Sequence, residues 1–238
     1  MKRILLVVVL VIFTFSTIAA QPKKKKKPAA KKACPTSLAK CPDVGCGGDP
    51  ALNKRKNIRS DDQVPTVRTL QWMKDLPDPQ HFTRQSKSRA ELTALGEGQK
   101  IQVVAYALVA RKGSKESCNC GLTAPKDTDN HIVLVDSSLP APTLSADEDD
   151  SETAEFTPRV RLQHPNLARA KLQPLIDAQG GKLLVRVTGQ LMFDSEHFLG
   201  RHLHRHNNWE IHPVMGLEYC PQGKTCTEGS AANWKSIE

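Results

Sequence analysis

The sequence predicts a mainly β chain of the α+β class. A small five-stranded barrel carries one helix between its third and fourth strands, behind a loop-rich N-terminal extension. Three observations carry this expectation. Five segments between residues 101 and 219 are dense in Val, Ile, Leu and Thr, with turn-forming residues between them. One segment between the third and fourth has helical spacing of its apolar residues instead. Hydrophobic residues at 39% and charged residues at 25% describe a globular chain.

Residues 101–109 form the first strand, with imperfect alternation, as expected where a barrel strand has apolar contacts on more than one side. Residues 130–136 form the second. Residues 137–151 read as a solvated loop ending in Asp147-Glu148-Asp149-Asp150. The third strand is expected at 153–162, where Pro158 implies an edge or a bulge because it donates nothing to a ladder. Residues 166–178 read as helix, with Asn166 as cap, Leu167, Leu172, Leu175 and Ile176 inward, and a kink at Pro174. Gly180-Gly181 stops it. Residues 182–193 form the fourth strand, with Gly189 permitting a sharp bend, and residues 209–219 form the fifth. Strand, strand, strand, helix, strand, strand is the order of an OB-fold, a Greek-key barrel. The barrel domain is placed at 97–220 and a C-terminal tail at 221–238.

The segments before the barrel carry the charge. The chain has 34 Lys and Arg against 25 Asp and Glu, a formal +9. Residues 1–32 hold nine of those cations and no acid, so the remainder is neutral. This argues against a globally basic nucleic-acid binder. Residues 1–20 read as a cleaved secretory signal: Lys2 and Arg3, an apolar stretch from Ile4 to Phe15, then small residues. A retained anchor is the alternative, but the apolar stretch is short for a membrane span. A secreted or periplasmic location without a stable span follows. Residues 21–33 form a Lys/Pro/Ala tether, expected to be disordered because adjacent ammonium groups repel one another. The tether is a solubilising spacer or an electrostatic attachment to an anionic polymer. Residues 34–96 read as a Cys-containing, loop-rich extension. One short helix is expected at 66–76, capped by Thr66, with Val67, Leu70, Met73 and Leu76 as its stripe.

Seven cysteines in an oxidising compartment imply disulfides, with one thiol left over or paired between chains. Cys220 and Cys226 flank a turn and favour a local bridge. Zinc is the rival ligand, although no paired C-x-x-C set is present.

Five of the eight histidines, His197, His202, His204, His206 and His212, fall within sixteen residues. His202, His204 and His206 alternate, and on an extended loop they make a weak surface site for Zn, Cu or Ni. Asp127, Asp129 and His131 are spaced to face one way, or form a polar turn. Glu210 and His212 share one face of the fifth strand, with Trp209 and Ile211 on the other. A carboxylate beside a histidine orients the ring as a base, or as a metal ligand with its outer partner. No G-x-S-x-G, Walker, G-x-G-x-x-G or H-E-x-x-H motif occurs.

Six short motifs resemble, as a set, a family of secreted bacterial proteins of uncharacterised activity. They are Glu116-Ser117-Cys118-Asn119-Cys120, Asp129-x-His131-Ile132, Thr157-Pro158-Arg159-x-Arg161, His164-Pro165, Gly189-x-Leu191-x-x-Asp194-x-x-His197 and Trp209-Glu210-Ile211-His212-Pro213-Val214. The resemblance covers about residues 97–219. It implies that these polar residues, rather than the His-rich insert, are the better site candidates.

The leading expectation is a secreted OB-like domain that binds a polar or polyanionic ligand, nucleic acid or envelope glycan. Its face is His131, Arg159, Arg161, Arg205, Trp209 and His212. A metal-assisted hydrolase such as a phosphodiesterase is the alternative. Its divalent metal, Zn for choice, is held by Asp129, His131, His197, Glu210 and His212. A third reading is an envelope protein whose polar cluster is internally satisfied.

Overall fold

A computed structural model describes residues 33–83, 86, 88–197 and 204–237. The expected signal and all but the last residue of the tether lie outside the described residues, as does His202. Cys34–Glu238 form one compact unit.

Its elements are α1 (Pro50–Asn57), β1 (Thr66–Val67), α2 (Leu70–Lys74), α3 (Ala90–Ala94), β2 (Lys100–Lys112), β3 (Asn130–Asp136), α4 (Leu144–Asp147), β4 (Glu152–Phe156), α5 (Pro158–Arg161), α6 (Arg169–Ala178), β5 (Leu183–Phe193), β6 (Trp209–Tyr219) and β7 (Lys235–Ser236). Strand β2 pairs antiparallel with both β3 and β5. Strand β3 pairs antiparallel with β4, β4 parallel with β6, and β6 antiparallel with β5. Five strands therefore close into an OB-like barrel, which leaves no long edge to aggregate. Strand β1 adds in parallel to the start of β2, and β7 adds to the end of β6.

Period-two patterning fills the interior. Ile101, Val103, Ala105 and Ala107 alternate inward from β2 and are fully buried. Val185 and Val187 do the same from β5. Helix α6 contributes Leu172 and Ile176, both fully buried. Burying each such side chain contributes about 1.5–3 kcal/mol. Gly189 sits between register shifts in the β5–β6 ladder. A Cβ there would stand 2.4 Å from Ile211 Cγ2 and 2.6 Å from the Pro213 carbonyl oxygen, so only glycine lets the strands approach this closely.

Several elements differ from the sequence-based expectation. The third strand stops at Phe156, because Pro158 opens helix α5. Thr157 caps that helix by accepting from the Val160 N–H, and Pro at the first helical position has no hydrogen bond to lose. The expected helix at 66–76 divides: Thr66–Val67 is strand, and Thr69 is the cap of α2. Helix α6 begins at Arg169, with Pro174 inside it. Helix α1, in the segment read as loop, is capped by Asp49 with Pro50 at its first turn. The loop at 137–151 contains α4. The C-terminal segment packs back through β7, and Arg186 stacks 4.9 Å over the Trp234 ring.

The disulfides are Cys34–Cys46, Cys41–Cys120 and Cys220–Cys226, which leaves Cys118 as a buried thiol. Six of the seven cysteines are thus unavailable to zinc. The Cys41–Cys120 bridge ties the extension to the loop between β2 and β3. Among the described residues, no helix is long and apolar enough to cross a membrane.

Gly189→Ala is expected to lower stability by about 1–3 kcal/mol, read as a lower urea midpoint. Gly216→Ala, whose Cβ would meet only Thr188 Cβ at 3.9 Å, is the control and should leave the midpoint nearly unchanged. Equal shifts in the two variants would refute the close-packing argument.

Candidate metal centre

One end of the barrel gathers ionisable groups from six parts of the chain. They are α1, the loop between β2 and β3, the starts of β3 and β6, β4, and the segment following β5. Ladder register accounts for the nearest neighbours: His131 lies opposite Glu155, and Glu210 beside Thr153 of the same strand. Alternation on β6 places Glu210 and His212 on one face.

His212 is at the centre and fully buried. Its Nδ1 lies 3.1 Å from Glu210 Oε1 and 3.2 Å from Glu155 Oε2. Its Nε2 lies 3.7 Å from Asp129 Oδ2. Asp129 Oδ1 accepts from Asn119 Nδ2 at 2.9 Å. His131 Nε2 is 3.4 Å from Glu155 Oε1. Lys56 Nζ donates to Glu116 Oε2 at 2.6 Å, and the Cys118 thiol donates to the same oxygen at 3.3 Å. Arg205 bridges Glu210 and Asp194 at 3.0 and 2.8 Å, and His197 Nδ1 is 2.6 Å from Asp194 Oδ2. Asp129 Oδ2 and His212 Nε2 are buried and have no hydrogen-bond partner. Buried polar atoms are rarely left so.

Charge in a low-dielectric site explains the titration behaviour. Burial pushes the Asp129 carboxyl well above its ordinary range, and Glu116 and Glu155 add to this. Burial, with Glu155 and Asp194, raises Glu210. Burial opposes the charge of His212, but Glu155 and Glu210 outweigh it and hold its pKa well above the usual value. Burial likewise opposes Lys56, and Glu116, Glu155 and Asp194 raise it nonetheless. Glu155 is held low against burial by His131 and His212. Burial drives the Cys118 thiol far up, and Glu116 and Asp129 add to this, which favours the protonated form.

A pocket of about 380 Å3 opens over the cluster, lined among others by Lys56, Lys115, Glu116, His131, Glu155 and Arg205. Three sets of side chains offer donor atoms within 4.8 Å of one another: Asp129, Glu155 and His212; Glu116, His131 and Glu155; and Glu116, Cys118 and Asp129. Carboxylate oxygens with imidazole nitrogen suit Zn2+ or Mn2+.

Of the residues expected from sequence, Asp129, His131, Glu210 and His212 meet here. His197 lies at the rim, its Nδ1 committed to Asp194. Arg205 lines the pocket with both terminal nitrogens engaged by carboxylates. Three residues are placed elsewhere. Trp209 is fully buried in the core, stacked edge-on to Phe193, and its Nε1 donates to the Pro77 carbonyl. Arg159 donates to the carbonyls of Cys41 and Pro42 and so fastens the extension. Arg161 donates to Asn130 Oδ1 and the Thr128 carbonyl, bracing the entry to β3. The alternating histidines do not share a target: His204 pairs with Asp149 and His206 with Asp150. Glu116 and Asp194, candidates through the resemblance, complete the centre, as does Glu155 on the third strand; Lys56 was not assigned to it from sequence. For Lys56 a signal existed, because Leu52, Asn53 and Lys56 share one buried helix face.

The fold and the cluster together define a disulfide-stapled OB-like barrel with a charged centre at one end. No known family, curated protein or solved structure matches the chain.

The His197–Asp194 pair has a defined pH signature. The hydrogen bond to Asp194 raises the His197 pKa, and Asp194 itself is held low, so it stays ionised throughout. A raised histidine stabilises fully below its unfolded value of about 6.5 and loses that contribution as pH rises through the folded value. His197→Gln should therefore lower Tm most at pH 5.5, with the difference shrinking by pH 9 in melts followed by circular dichroism. A difference independent of pH would show that the pair carries no protonation-linked stability.

Proposed function

We propose that this chain is a secreted protein that binds a divalent cation, Zn2+ for choice, between Asp129, Glu155 and His212. Of the three, Glu155 also lines the neighbouring pocket, where an anionic group can enter, while Asp129 and His212 lie behind it, fully buried. One observation carries this reading: two fully buried ligand atoms, Asp129 Oδ2 and His212 Nε2, face each other across 3.7 Å with no hydrogen-bond partner. That gap is the span of one ion making two bonds of about 2.0–2.2 Å. Glu155 offers the third donor of the set, with one ligand atom from each of the three residues within 4.8 Å of the others. Glu210 accepts at His212 Nδ1, which is how an outer carboxylate fixes the tautomer and basicity of a metal-bound imidazole.

Charge supports the same reading. The carboxylates Glu116, Asp129, Glu155, Asp194 and Glu210 outnumber the permanent cations Lys56 and Arg205 that contact them. A buried surplus of that sign is neutralised by protons or by a dication. Lys115 is exposed on the pocket wall, where it offers an attraction to an anionic ligand that Arg159 and Arg161 do not. The disulfides fit an oxidising compartment, which supports secretion. The Lys-rich tether adds a non-specific, salt-sensitive attraction to anionic polymers. Family membership belongs to this proposal too. Its motif residues Glu116, Cys118, Asp129, His131, Asp194, His197, Glu210 and His212 gather at one end of the barrel.

A hydrolytic role is the second reading, and His131 favours it. Its side chain lines the pocket, 39% exposed, and its buried Nε2 stands 3.4 Å from Glu155 Oε1 without a hydrogen bond. There it stands as a base for a metal-held water.

Chelator-stripped chain, dialysed against micromolar zinc, should take up one ion at this centre. Asp129→Asn and His212→Gln should each weaken uptake at least about tenfold. His204→Gln with His206→Gln should leave it unchanged. No uptake by the wild type would leave the internally satisfied structural cluster as the correct account.

A further inference from the structure

The three ligand sets overlap, and Glu116 belongs to two of them that do not contain His212. Its carboxylate shares one set with His131 and Glu155 and another with Cys118 and Asp129. Asp129 and Glu155 are buried and shared with the His212 set. Donor atoms therefore surround two neighbouring positions. The second already has a cation beside it: the ammonium of Lys56, only 5% exposed and 2.6 Å from Glu116 Oε2.

That lysine is held in place from a distance. It comes from α1, sixty residues before Glu116. The extension bearing it is clamped to the loop that carries Glu116. Cys41 is bonded to Cys120, Cys46 N–H donates to the Ser117 carbonyl at 2.9 Å, and Ser117 Oγ donates to Asn53 Oδ1 at 2.7 Å. Gly45 approaches so closely that a Cβ would lie 2.2 Å from the Ser117 carbonyl oxygen, and its φ is +64°. A tethered ammonium has a high effective concentration at its target, which a free ion must outcompete. It also carries one charge, so it consumes less of the shared carboxylates than a dication would.

We propose that Lys56 is a built-in cation occupying a second metal position, formed by Glu116, His131 and Glu155, and that it restricts the centre to one divalent ion. This rests on the single-ion reading above. Without the ammonium, Glu116 is a half-buried carboxylate lacking its counter-charge, and a second ion supplies it.

Zinc stoichiometry tests this, by equilibrium dialysis with elemental analysis on the full chain. One ion per wild-type chain, two per Lys56→Met chain, and one again in Lys56→Met/Glu116→Gln is the expected result. Lys56→Arg keeps the charge and should stay at one. Where Lys56→Met is unstable without metal, the zinc-induced rise in Tm gives the same answer, and it should exceed the wild-type rise. One ion in both wild type and Lys56→Met overturns the inference and leaves the single-ion reading standing. Two ions in the wild type also overturn it, since the lysine then excludes nothing. No ion in the wild type but one in Lys56→Met supports the lysine as resident cation and overturns the single-ion reading. No ion in either defeats both.

Discussion

Five carboxylates converge at one end of a small barrel, and the chain must keep them from repelling one another in a medium that screens poorly. Much of the remaining architecture answers that requirement. Lys56 arrives from the N-terminal helix, Arg205 from the loop before β6, and the His212 imidazole from β6 itself. Each comes from a separate stretch of sequence. Removing any one of them leaves a neighbouring carboxylate buried without compensation, which is far more costly than losing a surface ion pair.

Seen this way, the extension is part of the centre. A helix as short as α1 has little stability alone. The Cys41–Cys120 bridge, the Arg159 contacts to Cys41 and Pro42, and the Asn53–Ser117 bond fix it to the barrel. Arg55 and Ser60 extend the clamp to Glu97 and Gln190. The extension thus places one buried ammonium, that of Lys56, in a defined position.

Much of the barrel was legible in the sequence. The second and fifth strands have the bounds that β-branched patterning implied. The third was overextended because Thr157-Pro158 was read as an interrupted strand, when a cap residue followed by Pro is a helix start. The site was legible where its partners lie two residues apart. Glu210 and His212 are set on one face by alternation along β6, while Asp129 immediately precedes the strand that carries His131. Lys56 was not legible as the partner of Glu116, because 60 residues separate them. Arg159, Arg161 and Trp209 were overvalued for a related reason. Composition shows that a group can bind, while only packing shows that it is already engaged.

By itself the sequence determined the order of the strands, the place of the helix between the third and fourth, the local Cys220–Cys226 bridge and the Glu210–His212 pair on β6. These follow from interactions within a few residues. Tertiary structure alone decided which loops close over the barrel end, which cysteine stays a thiol, and that Lys56 lies inside a nest of carboxylates. Coulombic energy in the interior depends on distances of a few ångströms between groups remote in sequence, and only the closed barrel sets those distances.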